Sequence, residues 1–256
     1  MKIGAQLYTV RDYCKDLDSL SETLKKVAGI GYTTVQLSGT CDCEADWLNA
    51  QLAANGLRCV LTHTAPAKLQ EQLPTVCEYH KQLACKYVGL GMYHMMKEDP
   101  AAEYAKFLEL YKGVARQLKE NGLYFMYHNH DQEFYKLDGK TILQKMAEDF
   151  AADEMGFTLD TFWVQAGGAN PADFLRELKG RVPCIHLKDF AYGRGSDFRA
   201  NMAAVGEGNI NFEAVIHAAA DAGTDYLLVE QDDCHGEDPF ECLKRSYDHL
   251  RALGLD

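Results

Sequence analysis

Short apolar runs of strand character alternate along the chain with longer runs whose apolar residues recur every three or four positions. The strand-like runs begin at Lys2 (KIGAQLY), Thr33 (TTVQL), Arg58 (RCVLTHT), Tyr87 (YVGLGM), Tyr124 (YFMYHNH), Gly156 (GFTLDTFW), Val182 (VPCIHLKDF) and Tyr226 (YLLVEQD). None forms an evident hairpin with its neighbour, so each is read as a buried strand feeding a helix. The helical runs carry start and stop chemistry. Ser19 and Glu22 have capping-box spacing ahead of Leu20, Leu24, Val27 and Ala28, which share one face. Asp99-Pro100, Asn170-Pro171 and Asp238-Pro239 each set a capping side chain before a proline at the first helical position. Gly122, Gly180, Gly223 and Gly254 stand where helices should stop.

Eight strand-then-helix units in strict alternation, with no linker-like or low-complexity stretch, predict an α/β protein: a single (β/α)8 TIM barrel spanning residues 1–256. A doubly wound open sheet would want a glycine-rich phosphate loop after the first strand. The residues found there are Tyr8-Thr9-Val10-Arg11-Asp12, without one glycine. The barrel itself directs attention to the C-terminal ends of the strands, where the strand-to-helix loops converge.

Composition excludes disordered and membrane-spanning classes: the chain is 47% hydrophobic and 25% charged, and no apolar run reaches membrane-spanning length. Charge narrows the partners. Lys and Arg total 26 against 38 Asp and Glu, a net charge of -12, which opposes nucleic acid or an anionic membrane as the main partner. Nine irregularly spaced cysteines and the absence of a signal-peptide pattern predict reduced thiols in a cytoplasmic protein. A small molecule is the expected partner, and a homo-oligomer is left open.

At the ends of strands five to eight stand His128, His130 and Glu133; then Asp160; then His186, Lys188 and Asp189; then Glu230, Asp232 and Asp233. Glu133, Asp160, His186 and Glu230 supply three carboxylates and one imidazole from four consecutive strands. That donor set suits one divalent ion, Mn²⁺ first, then Mg²⁺, Co²⁺ or Fe²⁺.

The segments YHNHDQEF (127–134), LDTFW (159–163), NPADFLRELKGRVPCIHLKD (170–189), VGEGNINF (205–212) and LLVEQD (227–232) resemble the sugar phosphate isomerase/epimerase family of xylose-isomerase-like barrels. KIGAQLYTVRD at the start and THTAP (62–66) fit as well, so the resemblance covers nearly the whole chain. It implies the same metal ligands, matched one by one, and Glu133 and Glu230 as the pair that moves a proton. The physical reading agrees: a cation stabilises the developing enediolate while two carboxylates remove and return a proton beside a carbonyl. Candidate substrate contacts are His63, His128, His130, Lys188, Tyr8, Trp163 and, from the long segment 191–209 read as a loop over the site, Arg194 or Arg199. Asp189 and Asp232 are taken as supporting or loop groups.

The expected activity is a divalent-metal-dependent sugar isomerase or epimerase acting on a ketose or keto-glycoside. The alternative is a dehydratase or lyase, which keeps the first step and then expels a β-leaving group from a keto-inositol or keto-sugar. An apurinic endonuclease of the same superfamily would need a basic DNA-binding surface, which a net charge of -12 opposes.

Overall fold

The computed structural model describes residues 1–193 and 200–255. Eight strands close a parallel barrel in sequential order: β1 (Lys2–Gln6), β2 (Thr34–Leu37), β3 (Arg58–His63), β4 (Tyr87–Leu90), β5 (Tyr124–His128), β6 (Met155–Asp160), β7 (Cys184–Leu187) and β8 (Tyr226–Val229). Each of the predicted runs is one of these strands. Buried aliphatic and aromatic residues such as Leu24, Phe107, Tyr111, Phe125, Phe157 and Leu227 fill the main core.

The helix boundaries follow the capping chemistry. Asp99 Oδ1 accepts from the N–H groups of Ala101 and Ala102, Asn170 Oδ1 from those of Ala172 and Asp173, and Asp238 Oδ1 from that of Phe240. The first long helix, Leu17–Ile30, differs from expectation. Its capping box joins Asp16 to Ser19, because the shorter Asp16 carboxylate reaches the Ser19 N–H at 2.8 Å and the Ser19 hydroxyl answers to the Asp16 N–H. The four glycines expected to stop helices all adopt positive φ, between 76° and 84°.

Side-chain alternation along parallel strands sorts the barrel interior into layers. Met126, Cys184 and Leu228 form an inner apolar cluster with Val60 and Leu61, and Tyr87, Tyr124 and Tyr226, first residues of β4, β5 and β8, pack against it. Two residues further along three of the same strands come His128, His186 and Glu230, at the C-terminal mouth. The register sets Asp160 level with His186 and Gln6 level with Gln36. The mouth is therefore polar over an apolar plug. A groove of about 490 Å³ opens at the opposite, N-terminal face between Lys86, Tyr87, Lys119 and Asp225. It lies at the end where barrels of this kind hold no chemistry.

Among the described residues beyond β7, a two-stranded ribbon stands where a loop was expected. Asp189–Tyr192 and Ala200–Ala203 pair antiparallel, with Asp189 opposite Ala203 and Phe190 opposite Met202. Arg194 and Arg199 lie outside the described residues. A second small hairpin, Lys136–Leu137 with Lys140–Thr141, turns at Asp138-Gly139, both at positive φ. All nine cysteines are free and six are buried. Among the described residues no helix is long and apolar enough to cross a membrane.

Candidate metal centre and active site

His128, Asp160, His186 and Glu230 converge at the mouth, each offering one donor atom within 4.8 Å of the others, and all four are buried. Asp160 Oδ2 is 3.2 Å from His128 Nε2 and 3.6 Å from His186 Nδ1, and Glu230 Oε2 is 2.9 Å from His186 Nδ1. The second oxygen of each carboxylate is turned away and occupied. Asp160 Oδ1 caps the following helix by accepting from the Trp163 N–H, and Glu230 Oε1 accepts from Gln6 Nε2 at 2.8 Å.

The outer contacts of the two imidazoles decide what their inner nitrogens can do. His128 Nδ1 lies 2.8 Å from the Gly91 carbonyl, a pure acceptor, so that nitrogen carries hydrogen and Nε2 faces Asp160 with a lone pair. His186 Nε2 lies 2.6 Å from Gln36 Oε1, which assigns hydrogen there and a lone pair to Nδ1. With that neutral tautomer His186 Nδ1 and Glu230 Oε2, 2.9 Å apart, complete no hydrogen bond; a proton on Nδ1 would make one. Two nitrogen lone pairs pointed at two carboxylates repel unless positive charge stands among them. In the cation-free cluster a proton supplies part of it: burial works against charge on His186, but Glu230 and Asp160 beside it outweigh burial and raise its pKa. A divalent ion meets the same need with two oxygen and two nitrogen donors, each held from behind as metal-site ligands are. The residues fit such an ion.

Lys188 brings a fixed charge to the same place. Its side chain is buried, with Nζ 3.0 Å from Asp160 Oδ2, 2.9 Å from Glu230 Oε2 and 3.1 Å from Asp232 Oδ2. Burial opposes ionisation of Asp160 and Glu230, but Lys188 overrides it and holds both carboxyls well below the usual range. Asp232 is pushed up to about 7, first by burial and then by Glu230, and its Oδ1 is buried without a partner.

Around this centre lie the other predicted contacts. His63, between His128 (5.1 Å) and His186 (5.6 Å), has Nδ1 3.1 Å from Ser38 Oγ and a buried Nε2 without a partner. His130 packs against Trp163 at 5.1 Å with the rings tilted by 44°, and burial drives its pKa down to about 3. Trp163 Nε1 is likewise buried and unpartnered, with Lys188 over its ring. Tyr8 is 37% exposed and carries Arg11 over its ring. Neutral imidazoles and unpaired donors gathered at one end of the barrel have the chemistry to bind hydroxyl groups.

Glu133 departs from the expected ligand set. It sits in a single helical turn, Gln132–Phe134, and its carboxylate accepts from the Tyr127 hydroxyl and the His130 N–H, both at 2.7 Å. Tyr127 packs against Phe107 of the helix Pro100–Glu120, on the outer side of β5, so Glu133 belongs to the layer behind the barrel wall. The turn after His130 carries Glu133 off the strand, and inward parity no longer applies to it. His128 takes the fourth corner instead. Other contributors were missed. Gln6 and Gln36 hold Glu230 and His186, and the Asn129 side chain accepts from the Asp160 N–H at 3.0 Å. The signal for Gln6 and Gln36 is a polar residue near the end of an apolar strand, and Asn129 stands between two histidines just past β5.

Burial pushes the Glu133 carboxyl up from about 4.5 to about 7. With the folded pKa above the unfolded one, its contribution to stability is complete below about pH 4.5 and lost as pH rises through 7. Wild-type protein should therefore lose roughly 2–3 kcal/mol between pH 4.5 and pH 8 from this group, and Glu133→Gln should flatten that slope in urea unfolding. The same variant should bind Mn²⁺ within about twofold of wild type by calorimetry, a difference of under 0.5 kcal/mol. A large loss of affinity would restore Glu133 to the ligand set.

The fold and site together define a closed eight-stranded parallel α/β barrel whose C-terminal mouth carries a buried two-histidine, two-carboxylate cluster that could hold a metal ion. The family model for xylose isomerase-like TIM barrels matches residues 24–253, and the chain belongs to that family. No curated protein matches it in sequence. Among solved structures it is similar to a sugar phosphate isomerase/epimerase from Parabacteroides distasonis ATCC 8503, at 20% identity and TM-score 0.81 over 98% of this chain and 94% of that one. It is also similar to an L-ribulose 3-epimerase (18%, 0.75, 99% and 94%). A probable 3-DHS dehydratase of petrobactin synthesis from Bacillus anthracis is similar too (14%, 0.72, 98% and 99%). At these identities the likeness shows the fold.

Proposed function

We propose that this protein is a metal-dependent isomerase or epimerase of a ketose or keto-glycoside, working by proton abstraction beside a carbonyl. The observation that carries the reading is the pairing of a buried, cation-fitting cluster with Glu230, a carboxylate that keeps one oxygen inward and unbonded. A divalent ion held by His128, Asp160, His186 and Glu230 would supply positive charge to a substrate carbonyl oxygen. The Glu230 carboxylate takes the proton, and Gln6, donating to its Oε1, fixes the direction of approach. The unpartnered His63 Nε2 and Trp163 Nε1 donate to or accept from substrate hydroxyls. Lys188 adds charge to the developing oxyanion. Return of the proton to the same carbon from the opposite face needs a second acid. Glu133 lies behind the wall, and Asp232, the remaining carboxyl beside the cluster, is bonded to Lys188, so the group that returns the proton would be another residue or a water.

That displacement of Glu133 also favours a second reading. An elimination needs one base and no carboxylate across the ring, so a dehydratase or lyase on a keto-sugar or keto-inositol uses the same site. One experiment tests both. Protein loaded with Mn²⁺ is incubated in D₂O with a panel of ketoses and 3-keto-glycosides. Isomerase or epimerase action returns a sugar heavier by one deuterium, elimination returns a product lighter by water or another leaving group, and exchange with no substrate sinks both.

A further inference from the structure

The inward oxygens of the cluster, Asp160 Oδ2 and Glu230 Oε2, are the two that Lys188 Nζ touches at 3.0 and 2.9 Å. The outward oxygens cannot substitute, since Trp163 N–H and Gln6 Nε2 occupy them. A divalent ion in this cluster must therefore draw on the same two atoms that face the ammonium. The three contacts of Lys188 are not alike. Only the one to Asp232 Oδ2, at 3.1 Å, has the geometry of a hydrogen bond; the other two are ion pairs at short distance. Asp232 also keeps a second, unpartnered oxygen, so it has the capacity to hold the ammonium alone.

We propose that Lys188 and the divalent ion are alternative occupants of the Asp160–Glu230 oxygen pair. Lys188 fills the pair when the ion is absent and withdraws onto Asp232 when it binds. The inference rests on the metal-centre reading above and adds an internal competitor to it. Two consequences follow from charge alone. The ion-free cluster is not left as bare buried carboxylates, which would be strongly destabilising. An arriving ion must also displace a cation, which weakens its binding while leaving a charged ammonium beside the site, ready to meet substrate oxygen.

The test is Mn²⁺ binding by calorimetry to metal-stripped wild type, Lys188→Met and Lys188→Gln. Removing the competitor should tighten Mn²⁺ binding at least tenfold in both variants. Equal or weaker binding in folded variants would overturn the competition and show that Lys188 supports the ligands; the metal centre itself would stand. Failure of wild type and both variants to bind Mn²⁺, Co²⁺, Mg²⁺ or Zn²⁺ would overturn the metal centre and the competition together. A crystal of wild type soaked in Mn²⁺ gives a readout that does not depend on how the variants fold. With the ion located by anomalous scattering, Nζ should lie more than 3.5 Å from Asp160 Oδ2 and Glu230 Oε2 and remain bonded to Asp232. Nζ still within 3.2 Å of both oxygens beside a bound ion would refute the proposal.

Discussion

Glu230→Gln should lower the rate of deuterium incorporation into substrate by about 10²–10⁴-fold, the range a positioned general base supplies. Two effects act in the same direction. The amide has no basic oxygen at the position of Oε2. It must also keep its carbonyl oxygen toward Gln6 Nε2, since Gln6 is itself fixed by the N–H of Tyr8 on its Oε1. That orientation turns an NH₂ group toward Lys188 and His186, so the variant loses an inward ligand oxygen as well as the base. Glu230→Asp separates the roles. It retains the negative charge but retracts the carboxylate by one methylene, so exchange should fall steeply, because proton transfer needs hydrogen-bond distance, and metal content by elemental analysis reports how far the ligand role goes with it. Exchange at the wild-type rate in Glu230→Gln would remove Glu230 from the chemistry.

How much of this was legible in the sequence follows from where local rules hold. The eight strands were readable because each is a short apolar run and the helices between them end in glycines that take positive φ. Asp160, His186 and Glu230 were readable because strand alternation carries inward parity from the apolar layer to the mouth. His128 obeys the same parity two residues beyond Met126, yet among four histidines near the mouth its place in the cluster with Asp160, His186 and Glu230 goes with a contact to the Gly91 carbonyl behind it. That contact joins residues 37 apart and leaves no mark in the local sequence. Glu133 shows the opposite failure. Its residue type and distance from the strand suited a ligand, but a hydroxyl from Tyr127 and a backbone N–H compete for its oxygens and win. Lys188 was read as a group for substrate. Its burial among three carboxylates is a tertiary fact, set by Asp160 on β6 and Asp232 beyond β8.

The segment after β7 supplies the second large effect. Asp189 is fully buried, and its carboxylate accepts four backbone N–H groups: Phe190 (2.7 Å) and Ile210 (3.2 Å) on Oδ1, Gly206 (2.9 Å) and Gly208 (2.7 Å) on Oδ2. The approach is so close that a Cβ on Gly208 would stand 2.4 Å from Asp189 Oδ1, which is why this position takes glycine. Through this anchor the segment reaches the site, because Met202 Sδ accepts from the Asp232 N–H and the Met202 carbonyl lies 3.2 Å from His235 Nε2. Asp189→Ala removes the shared acceptor of four half-buried backbone donors, each at the lower end of about 1–3 kcal/mol because water can reach part of the segment once it is freed. Local opening of the segment around residues 200–210 to water caps the loss, so the expected destabilisation is about 2–4 kcal/mol. Asp189→Asn should recover little, since its NH₂ would face two donors. Hydrogen exchange should show protection lost at Gly206, Gly208 and Ile210 while the barrel strands keep theirs, and turnover should fall with the mobility of Asp232 even where Mn²⁺ affinity holds. A destabilisation under 1 kcal/mol with protection intact would mean that the hairpin, and not the carboxylate, organises this segment.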